Sequence, residues 1–159
     1  MTRAYIGIGA NLGDPAAQVA AAFAGLDTLP ATRLVARSSL YRTAPVGVGP
    51  QPDYLNAAAA LDTALDAGVL LAALLDLEAR HGRERPYPGA ARTLDLDLLL
   101  YGEDEIALPR LTVPHPRLHE RRFVLEPLAE IAPGLVVPRL GPVSMLLSRC
   151  RGQAVTREN

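Results

Sequence analysis

Residues 92–101 read Arg-Thr-Leu-Asp-Leu-Asp-Leu-Leu-Leu-Tyr, and the reading of this decade decides the fold. Apolar and polar residues alternate with period two, which predicts a strand with Asp95 and Asp97 on one face and Leu94, Leu96 and Leu98 on the other. Two carboxylates placed two residues apart on a strand stand about 7 Å apart at Cα. Side-chain reach closes that gap enough for both to converge on a hard cation such as Mg²⁺, which takes one or two carboxylates and completes its shell with substrate phosphates. By itself an Asp-x-Asp pair also serves to keep a strand edge from pairing with another chain. Its company favours chemistry: Arg83, Arg85 and Arg92 precede it, and Arg110, Arg117, Arg121 and Arg122 follow, with His115 among them. An acid pair framed by arginines suits phosphoryl-type transfer from a nucleotide.

Working outward, residues 3–9 predict a first strand ending at Gly9. Asp14 and Pro15 supply an N-cap and a first helical position. Val19, Ala22, Phe23 and Leu26 then recur at helical spacing, in a helix that runs to about Leu29 and is stopped by Pro30. Residues 32–41 and 55–65 read as two strands separated by a Gly/Pro-rich loop, 43–52, long enough to be functional. Asp66 is placed to cap a second helix carrying Leu70, Leu71, Leu74, Leu75 and Leu77, ended by Gly82. A second Gly/Pro-rich loop, 82–91, leads into the acid-pair strand.

This order is βαββαβ. It predicts an α+β fold with a ferredoxin-like core, in which an antiparallel sheet carries both helices on one face and leaves the other face free for a site. The last third predicts a C-terminal hairpin turned by Glu103 and Asp104, His115 held between Pro114 and Pro116, a short helix over 121–131 with Phe123, Leu125 and Leu128 as apolar contacts, and a last helix over 143–150. His81 and His119 have no evident partners and read as solvated.

At 159 residues the chain fits one domain, 1–159, large enough to bury about two-thirds of its unfolded surface without staples. A formal net charge of −1 argues against nucleic acid or a membrane surface as partner, since both call for a basic excess. Cys150, the single cysteine, has no internal partner for a disulfide and reads as a packed residue. The expectation is a cytoplasmic protein, with no signal segment before the first strand and no apolar stretch of membrane-spanning length. The absence of any heptad pattern or long apolar edge predicts a monomer. All 16 basic residues are arginine. That excludes a Walker A loop and a protein-kinase site, both of which require a lysine. Phosphate must instead be held by guanidinium forks.

Spaced segments carry a family resemblance: Tyr-Ile-Gly-Ile-Gly-Ala-Asn-Leu-Gly-Asp at 5–14, Tyr-Arg-Thr-Ala-Pro-Val-Gly at 41–47, Gln-Pro-Asp-Tyr-Leu-Asn at 51–56, Arg-Thr-Leu-Asp-Leu-Asp at 92–97 and Leu-Thr-Val-Pro-His-Pro-Arg at 111–117. Together they resemble the 6-hydroxymethyl-7,8-dihydropterin pyrophosphokinases of folate biosynthesis, collinearly over nearly the whole chain. The resemblance implies transfer of pyrophosphate from ATP to the hydroxymethyl group of the reduced pterin, giving AMP and the pterin diphosphate, with two Mg²⁺ ions. It implies Asp95 and Asp97 as metal ligands and Arg83 and Arg92 as catalytic residues on the transferring phosphates. ATP binding falls on Glu78, Arg83, Arg85, Arg92, Leu98, Thr112, His115 and Arg121, and pterin binding on Thr43, Val46, Tyr54, Asn56, Asp95 and Phe123. Tyr54 and Phe123 are implied to clamp the ring, an arrangement that suits a flat ligand with amide-like edges.

The rival readings are a non-catalytic ferredoxin-like ligand-binding module and another Asp-x-Asp metal-dependent nucleotide transferase. The first has no need of two carboxylates framed by arginines. The second generally needs a larger nucleotide-sugar domain.

Overall fold

A computed structural model describes residues 1–44, 52–81 and 94–158. The longest ladder joins β1 (Thr2–Ala10) to β4 (Tyr54–Thr63), antiparallel and in unbroken register from Thr2 opposite Thr63 to Ala10 opposite Leu55. On its other side β1 pairs antiparallel with β5 (Asp95–Tyr101), the acid-pair strand, which forms one edge of the sheet. Helices α1 (Pro15–Leu26) and α2 (Ala67–Arg80) cover one face. The ferredoxin-like βαββαβ core with its antiparallel sheet is thus as the sequence predicts.

The helix ends follow local chemistry. Asp14 accepts from the Ala17 N–H at 3.2 Å, and Pro15 occupies the first turn. The helix ends at Leu26, three residues short of the expected Leu29; Asp27 is its C-cap, with its N–H still bonded back to the Phe23 carbonyl and its side chain accepting the Leu34 N–H at 3.0 Å. Asp66 holds the N-cap position of α2 without a side-chain capping bond, and Arg80 is the last helical residue; Gly82 lies outside the described residues.

The expected strand over 32–41 is two strands, β2 (Thr32–Arg37) and β3 (Leu40–Thr43), laid end to end along β4. At the break the Ala58 N–H donates to the Ser38 hydroxyl at 2.8 Å, while the Ser38 N–H donates to the Ala58 carbonyl at 2.9 Å. A side chain thus replaces one backbone rung, which frees the chain to turn. The sheet gains a further edge strand from the C-terminus that the sequence did not indicate, β10 (Thr156–Glu158), paired with β3. The expected hairpin is present as β6 (Ile106–Leu108) and β7 (Leu111–Val113), turned by Pro109 and Arg110; Glu103 and Asp104 only make the turn out of β5. Beyond it come a 3-10 turn (Leu118–Glu120), α3 (Arg122–Ile131), the short ladder of β8 (Val136–Val137) with β9 (Gly141–Pro142), and α4 (Val143–Ser148).

One expectation is overturned in part. The face opposite α1 and α2 is only half free. Tyr5, Ala60, Leu99 and Leu100 on the sheet pack there with Leu118, Val124, Leu125, Leu128, Val143 and Leu146 into a second core. The cause is a bulge in β5. Ile6 faces Leu98 but Tyr5 faces Leu100, so Leu99 is an extra residue and both Leu99 and Leu100 reach the second face. Strand β5 is therefore two-sided, with Leu94, Leu96 and Leu98 in the first core and the next two leucines in the other.

His81 is not partnerless, since its Nδ1 lies 3.3 Å from Gln18 Oε1. His119 has a buried Nδ1 with no hydrogen-bond partner, so it is only partly solvated. Cys150 is buried, as expected of a packed residue.

Candidate active site

The uncovered half of the second face is built by register. Residues directly opposed on neighbouring strands point to the same side. Tyr41, Asn56, Gly9 and Asp95 form one row across β3, β4, β1 and β5. Ala58, Gly7 and Asp97 form the next, and Thr43 with Tyr54 the row beyond Asn56. Asp95 and Asp97 are both half-buried and share this face, while Leu94, Leu96 and Leu98 are buried on the other. The facing predicted from the alternation therefore holds along the acid-pair stretch, ahead of the bulge.

Because β5 is an edge strand, its outward backbone groups need partners from elsewhere. The Leu96 N–H donates to Glu78 Oε2 at 2.6 Å, and Glu78 on α2 is only 2% exposed. The His115 N–H donates to the Leu99 carbonyl at 2.9 Å. These bonds bring α2 and the segment after β7 to the edge of β5, where they border an open cleft of about 380 Å³. Asp95, Asp97, Leu98 and Glu78 line it together with Thr112 and His115, so these implied metal and nucleotide residues meet in one place.

His115 is held in a defined form. The Arg117 N–H donates to its Nδ1 at 3.2 Å, so Nδ1 is an acceptor and Nε2 carries the ring proton in the neutral imidazole. Burial, then Arg121, and also Arg117 push its pKa below the ordinary histidine value, while Asp95 opposes them. Arg121 is coupled to the acid pair: burial first and then Arg117 lower its pKa, against Asp97 and Asp95. Its guanidinium stands 5.6 Å from the Phe123 ring centre, within cation–π range.

At the other end of the row Asn56 is 5% exposed. Its Nδ2 donates to Thr43 Oγ1 at 3.0 Å and to the Tyr41 carbonyl at 3.4 Å. A carbonyl only accepts, so the amide is fixed with nitrogen toward β3 and Oδ1 toward β1. Tyr54 is half-buried on the same face, and Phe123, in the first turn of α3, packs against the second core that covers the rest of that face. Arg83, Arg85, Arg92 and Val46 lie outside the described residues.

The donor set at the sheet edge suits a hard cation. Asp95 and Asp97 offer oxygen only, the one cysteine is buried in the second core, and His115 keeps its protonated nitrogen. Among the described residues no group of three or more His, Cys, Asp or Glu is placed to hold a metal ion.

Several lining residues were not indicated as site residues by the sequence. Leu71 and Leu75 were expected on the apolar face of α2, but Leu71 is half-buried, Leu75 is 47% exposed, and both line the cavity. Their spacing of one helical turn was the only available signal. Arg110 also lines the cavity, placed there by the hairpin turn. Asn11, just past β1, is 1% exposed and donates to the Pro52 carbonyl at 3.2 Å. It ties the start of β4 to the end of β1.

Comparison with known proteins identifies the family and the fold. Residues 5–133 match the family model of 7,8-dihydro-6-hydroxymethylpterin-pyrophosphokinase. A Pseudomonas aeruginosa protein named 2-amino-4-hydroxy-6-hydroxymethyldihydropteridine pyrophosphokinase is 45% identical over 155 residues, 98% of this chain and 96% of its own. One of the same name from Methylorubrum extorquens is 48% identical over 137 residues, 86% of this chain and 87% of its own. Among solved structures, an HPPK-DHPS in complex with substrates superposes with a TM-score of 0.75 at 11% identity, over 93% of this chain and 43% of that one. Wild-type Plasmodium falciparum HPPK-DHPS with SDX-DHP gives 0.70 at 13% identity, over 94% of this chain and again 43% of the other. The chain thus spans less than half of those longer proteins, and the likeness to them is one of fold. The match over most of the chain, with relatives of the same length at this identity, means that the chain belongs to the 7,8-dihydro-6-hydroxymethylpterin-pyrophosphokinase family.

Proposed function

We propose that this chain, acting as one domain, transfers the terminal pyrophosphoryl group of ATP to the hydroxymethyl oxygen of 6-hydroxymethyl-7,8-dihydropterin. The products are AMP and the pterin diphosphate, an intermediate of folate biosynthesis. The observation that carries the reading is the row Asn56, Gly9, Asp95 across the sheet. It puts a fixed amide at one end and an acid pair beside a nucleotide-sized cavity at the other.

Asp95 and Asp97 would hold two Mg²⁺ ions, which when bound neutralise phosphate charge and lower the pKa of a coordinated hydroxyl. The pterin hydroxyl attacks the β-phosphorus in line, and AMP leaves. The Nε2–H of His115, the ring nitrogen left to donate by the Arg117 N–H on Nδ1, donates to the nucleotide's phosphates. Arg121 adds a guanidinium close to the acid pair. Arg83 and Arg92 stabilise the charge that develops on the transferring group, and Arg85, Thr112 and Leu98 contribute around the nucleoside. Glu78 acts from below by holding the edge of β5. Thr43 and Val46 present backbone groups to the pterin, and Asn56 reads its N–H edge through Oδ1. Tyr54 and Phe123 close on its faces. No helix among the described residues is long and apolar enough to cross a membrane, and we take the protein to be a cytoplasmic monomer.

Labelled ATP tests the reading. Label on the γ-phosphorus is expected in the pterin diphosphate, and label on the α-phosphorus is expected in AMP alone. Stoichiometric ADP would instead mean transfer of a single phosphoryl group and would sink the proposal.

A further inference from the structure

Arg121 sits at a joint. It ends the 3-10 turn over Leu118–Glu120 and precedes the first residue of α3, and its own backbone is extended, with φ −122° and ψ 105°. An extended residue between two helical segments interrupts the ladder of backbone hydrogen bonds, so the carbonyl before it and the N–H after it need partners from elsewhere. One side chain supplies both. The Nε2–H of Gln153 donates to the Glu120 carbonyl at 2.7 Å, and the Arg122 N–H donates to Gln153 Oε1 at 2.9 Å. The clasp is reciprocal, because the Arg122 guanidinium donates back to the Gln153 carbonyl at 2.7 Å and to the Arg151 carbonyl at 3.2 Å.

These bonds hold the peptide groups on either side of Arg121, and with them the direction in which its side chain leaves the backbone. That side chain feels the charges of Asp97 and Asp95 and stands over the Phe123 ring. Phe123 lies inside α3, where packing against the second core holds it without help from Gln153. Gln153 is exposed and belongs to neither core, so packing does not account for its place. We propose that Gln153 is a positioning residue, whose amide sets the backbone of Arg121 and so holds the guanidinium where the nucleotide meets the acid pair. This role rests on the nucleotide reading of the cleft. It adds a residue from the C-terminal segment that does not itself line the cleft.

The test measures the Kd of a non-hydrolysable ATP analogue with Mg²⁺ and the KM for the pterin in four chains: wild type, Gln153→Met, Arg121→Ala and the double variant. Methionine keeps the length of the side chain and removes both bonds. All four are measured below the lowest unfolding midpoint, so a loss of stability does not enter the ratios. Gln153→Met is expected to weaken nucleotide binding roughly 3–10-fold, the net contribution of one hydrogen bond, and to leave the pterin KM at its wild-type value. Added to Arg121→Ala, the same substitution should change the nucleotide Kd by less than about twofold, because the group that it positions is gone. An unaltered nucleotide Kd in Gln153→Met overturns the proposal. So do losses that multiply in the double variant, or equal rises in nucleotide Kd and pterin KM, because either marks Gln153 as a cap of α3 and nothing more. A wild-type chain that forms no AMP from both substrates overturns the functional reading itself. Wild-type turnover with multiplied losses overturns the positioning role alone.

Discussion

At the scale of single residues, the acid-pair strand separates chemistry from folding by parity. Asp97 is half-buried on the site face and Leu96 is 4% exposed in the core beneath α1 and α2. Asp97→Ala removes an oxygen donor without opening a core cavity, so the variant should give a native circular dichroism spectrum with pyrophosphoryl transfer nearly abolished. Leu96→Asp should do the opposite and fail to fold, since a carboxylate without a partner is very costly in an apolar core. An unfolded Asp97→Ala beside a native Leu96→Asp would invert the facing. This parity was legible before any coordinates because alternation at period two belongs to the strand itself. The orientation of the Asn56 amide was not. It depends on the Tyr41 carbonyl and the Thr43 hydroxyl across the sheet, and nothing in the local sequence announces which strand will lie beside β4.

At the scale of elements, the core strands and both of its helices follow from periodicity and capping residues, and the misses share a cause. The break between β2 and β3, the edge strand β10 and the leucines that turn β5 to two cores all depend on partners distant in sequence. Glu130 on α3 shows how such a partner works. Its carboxylate accepts from the Ser39 N–H at 3.0 Å, where the chain leaves β2 for β3, and from the Tyr41 hydroxyl at 2.7 Å. It also lies 3.6 Å from the Arg157 guanidinium of β10. One side chain thus joins the helix of the second core to β3 and to the edge strand β10. Burial alone would raise the Glu130 pKa, but the Tyr41 and Ser39 hydrogen bonds together outweigh it, and the net shift is downward. A carboxyl with a depressed folded pKa stabilises the fold above its unfolded pKa, and that stability is lost as pH falls through the folded value. Glu130→Gln should therefore cost about 1–3 kcal/mol at neutral pH in chemical denaturation. The difference from wild type should shrink as the pH falls below the ordinary carboxylate range. A difference independent of pH would show that the charge of Glu130 contributes nothing.

At the scale of the whole molecule, the second core and the site share one face of one sheet, and they divide it along β1. Tyr5 lies under the helices, whereas Gly9 lies in the open half. The site is therefore built on a support packed on both sides for part of its length, which suits groups that must hold position without their ligands. The acid pair still depends on ligand phosphate to complete a cation's shell, so nucleotide and cation should bind as a unit. Thermal unfolding measures that coupling, because a ligand that binds only the folded state raises the midpoint. A non-hydrolysable ATP analogue at a hundred times its dissociation constant, with Mg²⁺, stabilises by about 2.7 kcal/mol, which for a chain of this size is roughly 5–10 °C. Chelation of the Mg²⁺ should remove most of that rise. In the Asp95→Asn/Asp97→Asn variant the rise should be small whether the cation is present or not. Equal rises with Mg²⁺ and with chelator in the wild type would mean that the nucleotide binds without the acid pair, and would return Asp95 and Asp97 to the role of guarding an exposed strand edge.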